Sequence, residues 1–233
     1  MNTRLLRIPA ALLYLIAISL ITIYLVLCLN PLLQISPSER LVLLCSACFA
    51  IYCGSILITR TVSKTMVTKV MKATFLLFFI LYILLITTLT QFDSYYGRHI
   101  RLFAWDSKSL NFYLRTSLNL IPFSTISGYV SAFFNGRLNT GIIITNIIGN
   151  LVAFTPFALF LPLLFKKFKS FLWFFVGMII ITISVELLQF AMLTGTCDID
   201  DIILNVAGAC LFFGLFHMKH PNKVIDKLTL LRY

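Results

Sequence analysis

Long runs of apolar residues alternate with short polar stretches along most of this sequence. An α-helix rises about 1.5 Å per residue, so roughly 20 apolar residues are enough to cross about 30 Å of hydrocarbon. Runs of about this length, each bounded by charged or polar residues, predict membrane-spanning helices. They cover 8–29, 41–58, 73–90, 142–165, 170–193 and 202–218. The pattern therefore predicts an all-α, polytopic membrane protein with about six transmembrane helices.

Composition supports this fold class. Hydrophobic residues make up 60% of the 233 positions, and 22 of the residues are phenylalanine. A soluble domain of this size could not cover so much apolar surface. The first run follows Arg4 and Arg7 but lacks the small residues of a signal-peptide cleavage site, so we expect an uncleaved membrane anchor.

The basic residues predict an orientation. The sequence carries 19 lysines and arginines against eight acids, a net charge of +11. Most of the basic residues fall before the first span, between the second and third, between the fourth and fifth, and after the sixth. Short basic loops stay in the cytoplasm, so both termini are predicted to be cytoplasmic. The excess charge is thus a topology signal, with anionic lipids as counter-ions, and no motif indicates nucleic-acid binding.

The chain divides by the placement of its polar residues. Residues 1–90 predict three helices with no chemically suggestive polar cluster, and 91–141 predict one long extracytoplasmic loop. This loop is rich in aromatic residues, which predicts helical pieces lying at the outer membrane surface rather than disorder. Residues 109–217 hold nearly all the polar groups of interest, and 218–233 form a basic tail that is predicted to be cytoplasmic.

The predicted fourth helix carries amides on one face. Asn146 and Asn150 are four residues apart, so they share this face with Gly149, which is expected to allow close backbone approach. Pro156 removes a backbone donor further along and should loosen the helix.

The predicted fifth helix carries Glu186 and Gln189, which are three residues apart and share a face. A carboxylate inside a membrane costs about 2.5–3.5 kcal/mol on insertion scales, and such residues generally face the bundle interior or a wet cavity. Glu186 is therefore a candidate functional acid.

The segment "TGTCDIDDIILN" at 194–205 holds three aspartates at the start of the sixth predicted helix. Asp198, Asp201, Asn205 and Gly208 are spaced by three, four and three residues, which places them on one helical stripe. Asp200 would point about 100° away, and it is expected to be a solvated neighbour. The three polar helices would then bring their amides and acids together in the outer half of the membrane.

These residue types leave several chemistries open. Oxygen ligands could bind a divalent cation, a carboxylate could act as a general base, or the cavity could recognise a polar head group. The competing structural interpretation is that amides join helices by hydrogen bonds and that aspartates cap a helix N-terminus. Neither the presence of a cofactor nor the oligomeric state is specified by the pattern.

Four motifs in order resemble the VanZ-like family, which is named for a membrane protein associated with resistance to glycopeptide antibiotics, chiefly teicoplanin. They are "LNLIPF" at 118–123, "NIIGNLVAFTPF" at 146–157, "SVELLQF" at 184–190 and "DIDDIILNVAG" at 198–208. The family's recurrent positions fall on Asn119, Pro122, Asn150, Pro156, Glu186, Gln189, Asp198, Asp201, Asn205 and Gly208. Family members often carry an arginine near the first of these motifs and another between the fifth and sixth helices. In this sequence Arg115 or Arg137 would have to supply any contact with an anionic group.

The resemblance implies a bacterial plasma-membrane protein that binds or alters a lipid, or a lipid-linked cell-wall precursor, at the outer leaflet. Candidate catalytic acids are Glu186, Asp198 and Asp201. Candidate substrate-binding residues are Asn119, Asn146, Asn150, Gln189, Asn205 and Arg115. Two alternatives are a membrane enzyme that uses a carboxylate as general base on a lipid-linked substrate, and a proton-coupled transporter in which Glu186 carries the proton.

Overall fold

The computed structural model describes residues 3–30, 33, 35–91 and 106–218. Within these ranges it contains six helices that are long and apolar enough to span a membrane. The prediction of an all-α polytopic membrane protein is confirmed, while the orientation of the termini stays a prediction. Residues 92–105 of the predicted outer loop and 219–233 of the predicted basic tail lie outside the described residues.

The chain forms two compact units, Met1–His99 together with Asn222–Tyr233, and Ile100–Pro221. The described part of the first unit consists of α1 (Thr3–Leu29), α2 (Pro37–Thr59) and α3 (Lys64–Gln91). Two of these helices begin well before the predicted starts, α1 at 3 instead of 8 and α3 at 64 instead of 73. The prediction followed apolar residues alone, and helical hydrogen bonding continues through the polar turns that precede them.

The core of the first unit is apolar with a few buried hydroxyl pairs. Ala17, Tyr24 and Leu44 belong to its central cluster. The Tyr24 hydroxyl hydrogen-bonds to Thr88, and Ser55 joins Thr74 across 2.7 Å. Such interhelical hydrogen bonds contribute about 0.6 kcal/mol each on average, so they join helices and do not by themselves indicate a site.

The second unit begins with short elements in the region predicted as an outer loop. They are α4 (Ser107–Thr116), β1 (Leu118–Asn119) and α5 (Ser124–Phe134). The helical pieces expected in this loop are therefore present in its described part. Asp106 caps α4 by accepting a hydrogen bond from the backbone N–H of Ser109, as short polar residues commonly do at helix N-termini.

The remaining helices of the second unit's described part come next. They are α6 (Thr140–Ala153), α7 (Phe157–Leu164), α8 (Phe171–Met192) and α9 (Ile199–Met218), with a 3-10 helix at Lys166–Lys169 and strand β2 (Cys197–Asp198) before α9. The predicted fourth span corresponds to Thr140–Leu164, which α6 and α7 form together as one of the six spans. It is interrupted at 154–156, because Pro156 has no N–H to donate and the chain turns there.

Helix α9 packs against both α6 and α8. Phe213 of α9 stacks on Phe174 of α8 with ring centroids 4.4 Å apart. Gly208 of α9 lies so close to α6 that a Cβ atom there would come within 1.7 Å of the Leu151 carbonyl oxygen. Among the described residues, and leaving aside its own helix backbone and chain neighbours, no atom would lie within 4 Å of a Cβ at Gly149. The expectation that Gly149 is the close-approach residue is therefore wrong, and Gly208 has that role.

Candidate functional site

A short parallel strand pair brings two distant motifs together. Strand β1 pairs with β2 so that Leu118 lies opposite Cys197, and Asn119 lies opposite Asp198. The backbone N–H of Cys197 also donates to the Ser117 carbonyl across 2.8 Å. This pairing lies where α8 has ended and α9 is about to begin, so it fixes the side chains of both motifs at one end of these helices.

Asp198 is 5% exposed and lies at the centre of a hydrogen-bond network. Its Oδ1 accepts from Asn119 Nδ2 at 3.0 Å and from the Asp200 backbone N–H at 2.8 Å. Its Oδ2 accepts from the Thr125 hydroxyl. A carboxylate that accepts from several donors is held in one orientation. Asp198 thus presents its carboxylate to the site in a fixed position.

Glu186 is 4% exposed, and its Oε2 accepts the backbone N–H of Asp198 at 3.0 Å. Gln189 is 5% exposed on the same buried stripe of α8, which continues through Thr182, Met178 and Phe174. The prediction that Glu186 and Gln189 share an inward face is confirmed. Glu186 thus holds the main chain that carries Asp198.

Asp200 is fully buried and holds the start of α5. One of its carboxylate oxygens accepts from the Phe123 backbone N–H. The other accepts from Thr125 and Ile126 backbone N–H groups at 2.8 and 3.0 Å. The expectation that Asp200 is a solvated neighbour is therefore wrong. It does act as a helix cap, but for a helix that lies 75 residues away along the chain.

Asp201 is half-buried in the first turn of α9. Its Oδ1 accepts a hydrogen bond from Asn150 Nδ2 of α6. Asn146 lies one turn earlier on α6, where it is exposed and donates to the Ile142 carbonyl at 2.8 Å. Helices α6 and α9, which pack closely at Gly208, are therefore also joined by the hydrogen bond between Asn150 and Asp201, near the start of α9.

These side chains border an open cavity of about 180 Å³, which we call the acidic cavity. Its lining consists of 116–119, Thr125, Tyr129, Asn146, Thr196, Asp198 and Asp201. Four predicted site residues, Asn119, Asn146, Asp198 and Asp201, line it directly. Asn150 and Glu186 contact it through Asp201 and Asp198, respectively.

The other predicted site residues lie elsewhere. Asn205 is 5% exposed, and its Oδ1 has no hydrogen-bond partner among the described residues. Arg115 is exposed in the last turn of α4 and is not among the described residues that line the acidic cavity. Its role as a binding residue stays a prediction.

Sequence reasoning missed Thr125 and Tyr129, which α5 contributes to the lining. They follow the "LNLIPF" motif, and Phe123 at the end of this motif has a left-handed backbone conformation with φ of 65°. A left-handed non-glycine residue is uncommon and often accompanies functional constraint. Its position could not be read from the sequence pattern.

Within the described part of the chain, no group of three or more His, Cys, Asp and Glu side chains is arranged to hold a metal ion.

The acids give the acidic cavity a negative electrostatic potential, which affects the pKa values of Tyr129 and Cys197. Burial and the charges of Asp201 and Asp198 raise the pKa of the Tyr129 phenol. Burial also raises the pKa of the Cys197 thiol, with further contributions from Glu186, Asp198 and Asp201. Both groups stay neutral at pH 7, because each pKa moves up from a value that is already above 7.

This field predicts how Cys197 reacts. Because only the thiolate is nucleophilic, a raised pKa makes alkylation slow at pH 8. Asp201→Asn removes one nearby negative charge, so the thiol pKa should fall and alkylation should speed up by about two- to fivefold. Peptide-resolved mass spectrometry after iodoacetamide treatment measures this rate. The control is Glu39→Gln, an exposed acid on α2, and an equal rate in both variants would contradict the predicted field.

Comparison with known proteins gives one family model and one curated relative of interest. The family model described as VanZ/LLP1 matches residues 79–220. Protein VanZ from Enterococcus faecium is 30% identical over 121 residues, which cover 51% of this chain and 65% of that protein. The match thus spans just under two thirds of the relative's length. No solved structure matches the chain.

Proposed function

Because the chain belongs to the VanZ/LLP1 family, we propose that it binds or alters a lipid or lipid-linked component of the cell envelope and thereby contributes to resistance against teicoplanin-type glycopeptides. It is a multi-pass membrane protein, and the proposed location is a bacterial plasma membrane. The acidic cavity is the observation that carries this proposal, since it is a polar recess at one end of apolar helices.

The surroundings of the acidic cavity suit an amphiphilic ligand. Next to Asn119 in sequence, Leu120 and Ile121 are 64% and 70% exposed, and Phe123 is 60% exposed. Exposed apolar side chains beside a polar recess are typical of a site that takes a head group into the recess and leaves acyl chains outside. A small soluble polar ligand would not need this apolar border.

Asp201 is the residue we expect to contact the ligand directly. It lines the acidic cavity, and the hydrogen bond from Asn150 fixes its carboxylate on α9. An oriented carboxylate accepts hydrogen bonds from hydroxyl or ammonium groups. Asp198 contributes a fixed charge, while Glu186 and Asn119 hold it in place.

The same placement of Asp201 favours a second candidate, an enzyme that uses this carboxylate as a general base. A general base must be oriented within hydrogen-bond reach of the proton it removes, and Asn150 supplies such orientation. Mass spectrometry of lipid extracts from cells with and without the protein separates the two candidates. A new or depleted lipid supports catalysis, and identical profiles support binding alone.

Substitution of Asp201 tests the proposed function. In a susceptible bacterium, expression of the wild-type chain should raise the minimal inhibitory concentration of teicoplanin, and Asp201→Asn should return it to the value with an empty vector. Loss of a charge-assisted hydrogen bond costs about 1.5–3 kcal/mol of binding free energy, which is a loss of tenfold or more in affinity.

Two controls make this test specific. Membrane abundance measured by immunoblotting shows whether Asp201→Asn still folds and inserts. Glu39→Gln removes an exposed acid from the first unit and should keep wild-type resistance. If wild-type chain at normal abundance leaves teicoplanin susceptibility unchanged, the resistance part of the proposal is wrong. If Asp201→Asn protects as well as wild type, the assignment of this acid is wrong.

A further inference from the structure

We propose that the ligand of the acidic cavity is a zwitterionic head group, in which a protonated amine lies beside a phosphate, as in an aminophospholipid. This inference rests on the proposed function and names the class of lipid. It comes from a second cavity of about 360 Å³ that adjoins the acidic cavity and carries the opposite charge.

The second cavity, which we call the lysine cavity, lies against one side of α4. Lys108, Ser109 and Phe112 of this helix line it, together with Ser117 and Gly195. Lys108 is the charged residue among the described residues of this lining. A lysine ammonium with serine hydroxyls nearby is a common arrangement for binding phosphate oxygens.

The acidic cavity has the complementary character. Asp198 and Asp201 line it, and no lysine, arginine or histidine is found among the described residues of its lining. An anionic group placed there would face two carboxylates without a counter-charge, whereas an ammonium group would be attracted. Hydroxyls of Thr125 and Tyr129 and amides of Asn119 and Asn146 could complete the polar contacts.

Ser117 lines both cavities, so the two charged regions share a wall. Its carbonyl oxygen is held by the Cys197 backbone N–H in the short strand pairing. The positive charge of Lys108 and the negative charges of the two aspartates thus lie in cavities that share Ser117. This arrangement matches a ligand in which a short linker joins a phosphate to an ammonium group. Such charge complementarity gives specificity, because a ligand with only the phosphate gains nothing from the acidic side.

Binding of short-chain lipids to the purified full chain in dodecyl maltoside tests this inference by isothermal titration calorimetry. The probes are dihexanoyl phosphatidylethanolamine, which has an ammonium group, dihexanoyl phosphatidylglycerol, which has hydroxyls instead, and free phosphorylethanolamine. We expect phosphatidylethanolamine to bind about tenfold more tightly than phosphatidylglycerol. Free phosphorylethanolamine should bind more weakly than the lipid, because it lacks the acyl chains.

Two variants test the amine contact and the phosphate contact separately. Asp201→Asn should abolish the preference for phosphatidylethanolamine, because it removes the negative charge that attracts the ammonium group. Binding of phosphatidylglycerol should change much less, because an amide oxygen at 201 can still accept a hydrogen bond from a hydroxyl. Lys108→Gln should weaken both lipids about equally, because each contains the phosphate. Lys166→Gln in the 3-10 helix is the matched control, since Lys166 is exposed and is not among the described residues lining either cavity.

The possible outcomes are distinguishable. Equal wild-type affinities for the two lipids would overturn the zwitterion inference and leave lipid binding, as proposed above, intact. A preference for phosphatidylethanolamine that survives in Asp201→Asn would also overturn it. If no lipid binds, both the inference and the lipid-binding form of the proposed function fail. Equal affinity for phosphorylethanolamine and its lipid would support the amine-phosphate chemistry and identify a soluble source.

Discussion

Replacing Gly208 with alanine is expected to separate α6 from α9 and to destabilise the second unit by about 3 kcal/mol, at the upper end for an overpacked core. The new Cβ would lie 1.7 Å from the Leu151 carbonyl oxygen and 2.7 Å from its carbonyl carbon. These are backbone atoms, so no side-chain rotation can relieve the clash. The melting temperature in detergent and the abundance in membranes should both fall.

Two other glycines provide matched controls. Gly214 lies on the same helix, and Gly149 lies on the facing helix α6. Beyond the local helix backbone, no atom of the described part of the chain lies within 4 Å of a Cβ at either position. Alanine at these positions should be neutral or slightly stabilising, because glycine costs about 0.8–1.0 kcal/mol relative to alanine inside a helix. If Gly208→Ala melts at the same temperature as Gly214→Ala, the close approach of α6 and α9 is wrong.

Gly208 and Gly149 show how far sequence patterns reach. Lengths of apolar runs are a local property, and they predicted the membrane-spanning helices. Which small residue lies against a neighbouring backbone depends on how two helices are rotated about their axes. The sequence shows a glycine on each helix, but it does not show how the helices are rotated. The close approach was therefore predicted at Gly149, whereas it occurs at Gly208.

The aspartates at 198–201 show a second limit. Asp198 and Asp201 were predicted to converge, and both line the acidic cavity. The helical-stripe reasoning behind this extended the helix through 198, whereas Asp198 lies in β2 and α9 begins at Ile199. Asp200 was misassigned because its partners are backbone N–H groups at 123–126, and no periodicity within its own segment reveals such a distant contact.

Asp200→Asn is expected to loosen the start of α5 and to cost about 1.5–3 kcal/mol in the free energy of unfolding, as for lost hydrogen bonds to a charged group. The asparagine amide keeps one acceptor oxygen. Its NH₂ group replaces the other oxygen, and it would face backbone N–H groups from which that oxygen now accepts hydrogen bonds. Amide hydrogen exchange of peptides covering 118–134, followed by mass spectrometry, measures the local effect. Exchange at Thr125 and Ile126 should become faster.

Asp106→Asn is the matched control for this change. Asp106 is the exposed N-cap of α4 and accepts from the Ser109 backbone N–H, and asparagine caps helices about as well as aspartate. The control should therefore leave both stability and exchange near wild type. Unchanged exchange over 118–134 in Asp200→Asn would show that the carboxylate does not hold α5 in place.

Asp200 is not among the described residues lining the acidic cavity, and this makes its functional effect informative. Thr125 and Tyr129 reach the cavity from α5, and the Asp200 carboxylate holds the first turn of this helix. Asp200→Asn should therefore weaken ligand binding together with the faster exchange, whereas Asp201→Asn should weaken binding and leave exchange over 118–134 near wild type. Asp200→Glu separates charge from geometry, because the longer side chain keeps the charge but has no room at a position with 0% exposure. If Asp200→Glu resembles Asp200→Asn in exchange and in binding, the positions of the carboxylate oxygens determine the structure of the site, and the negative charge alone does not suffice.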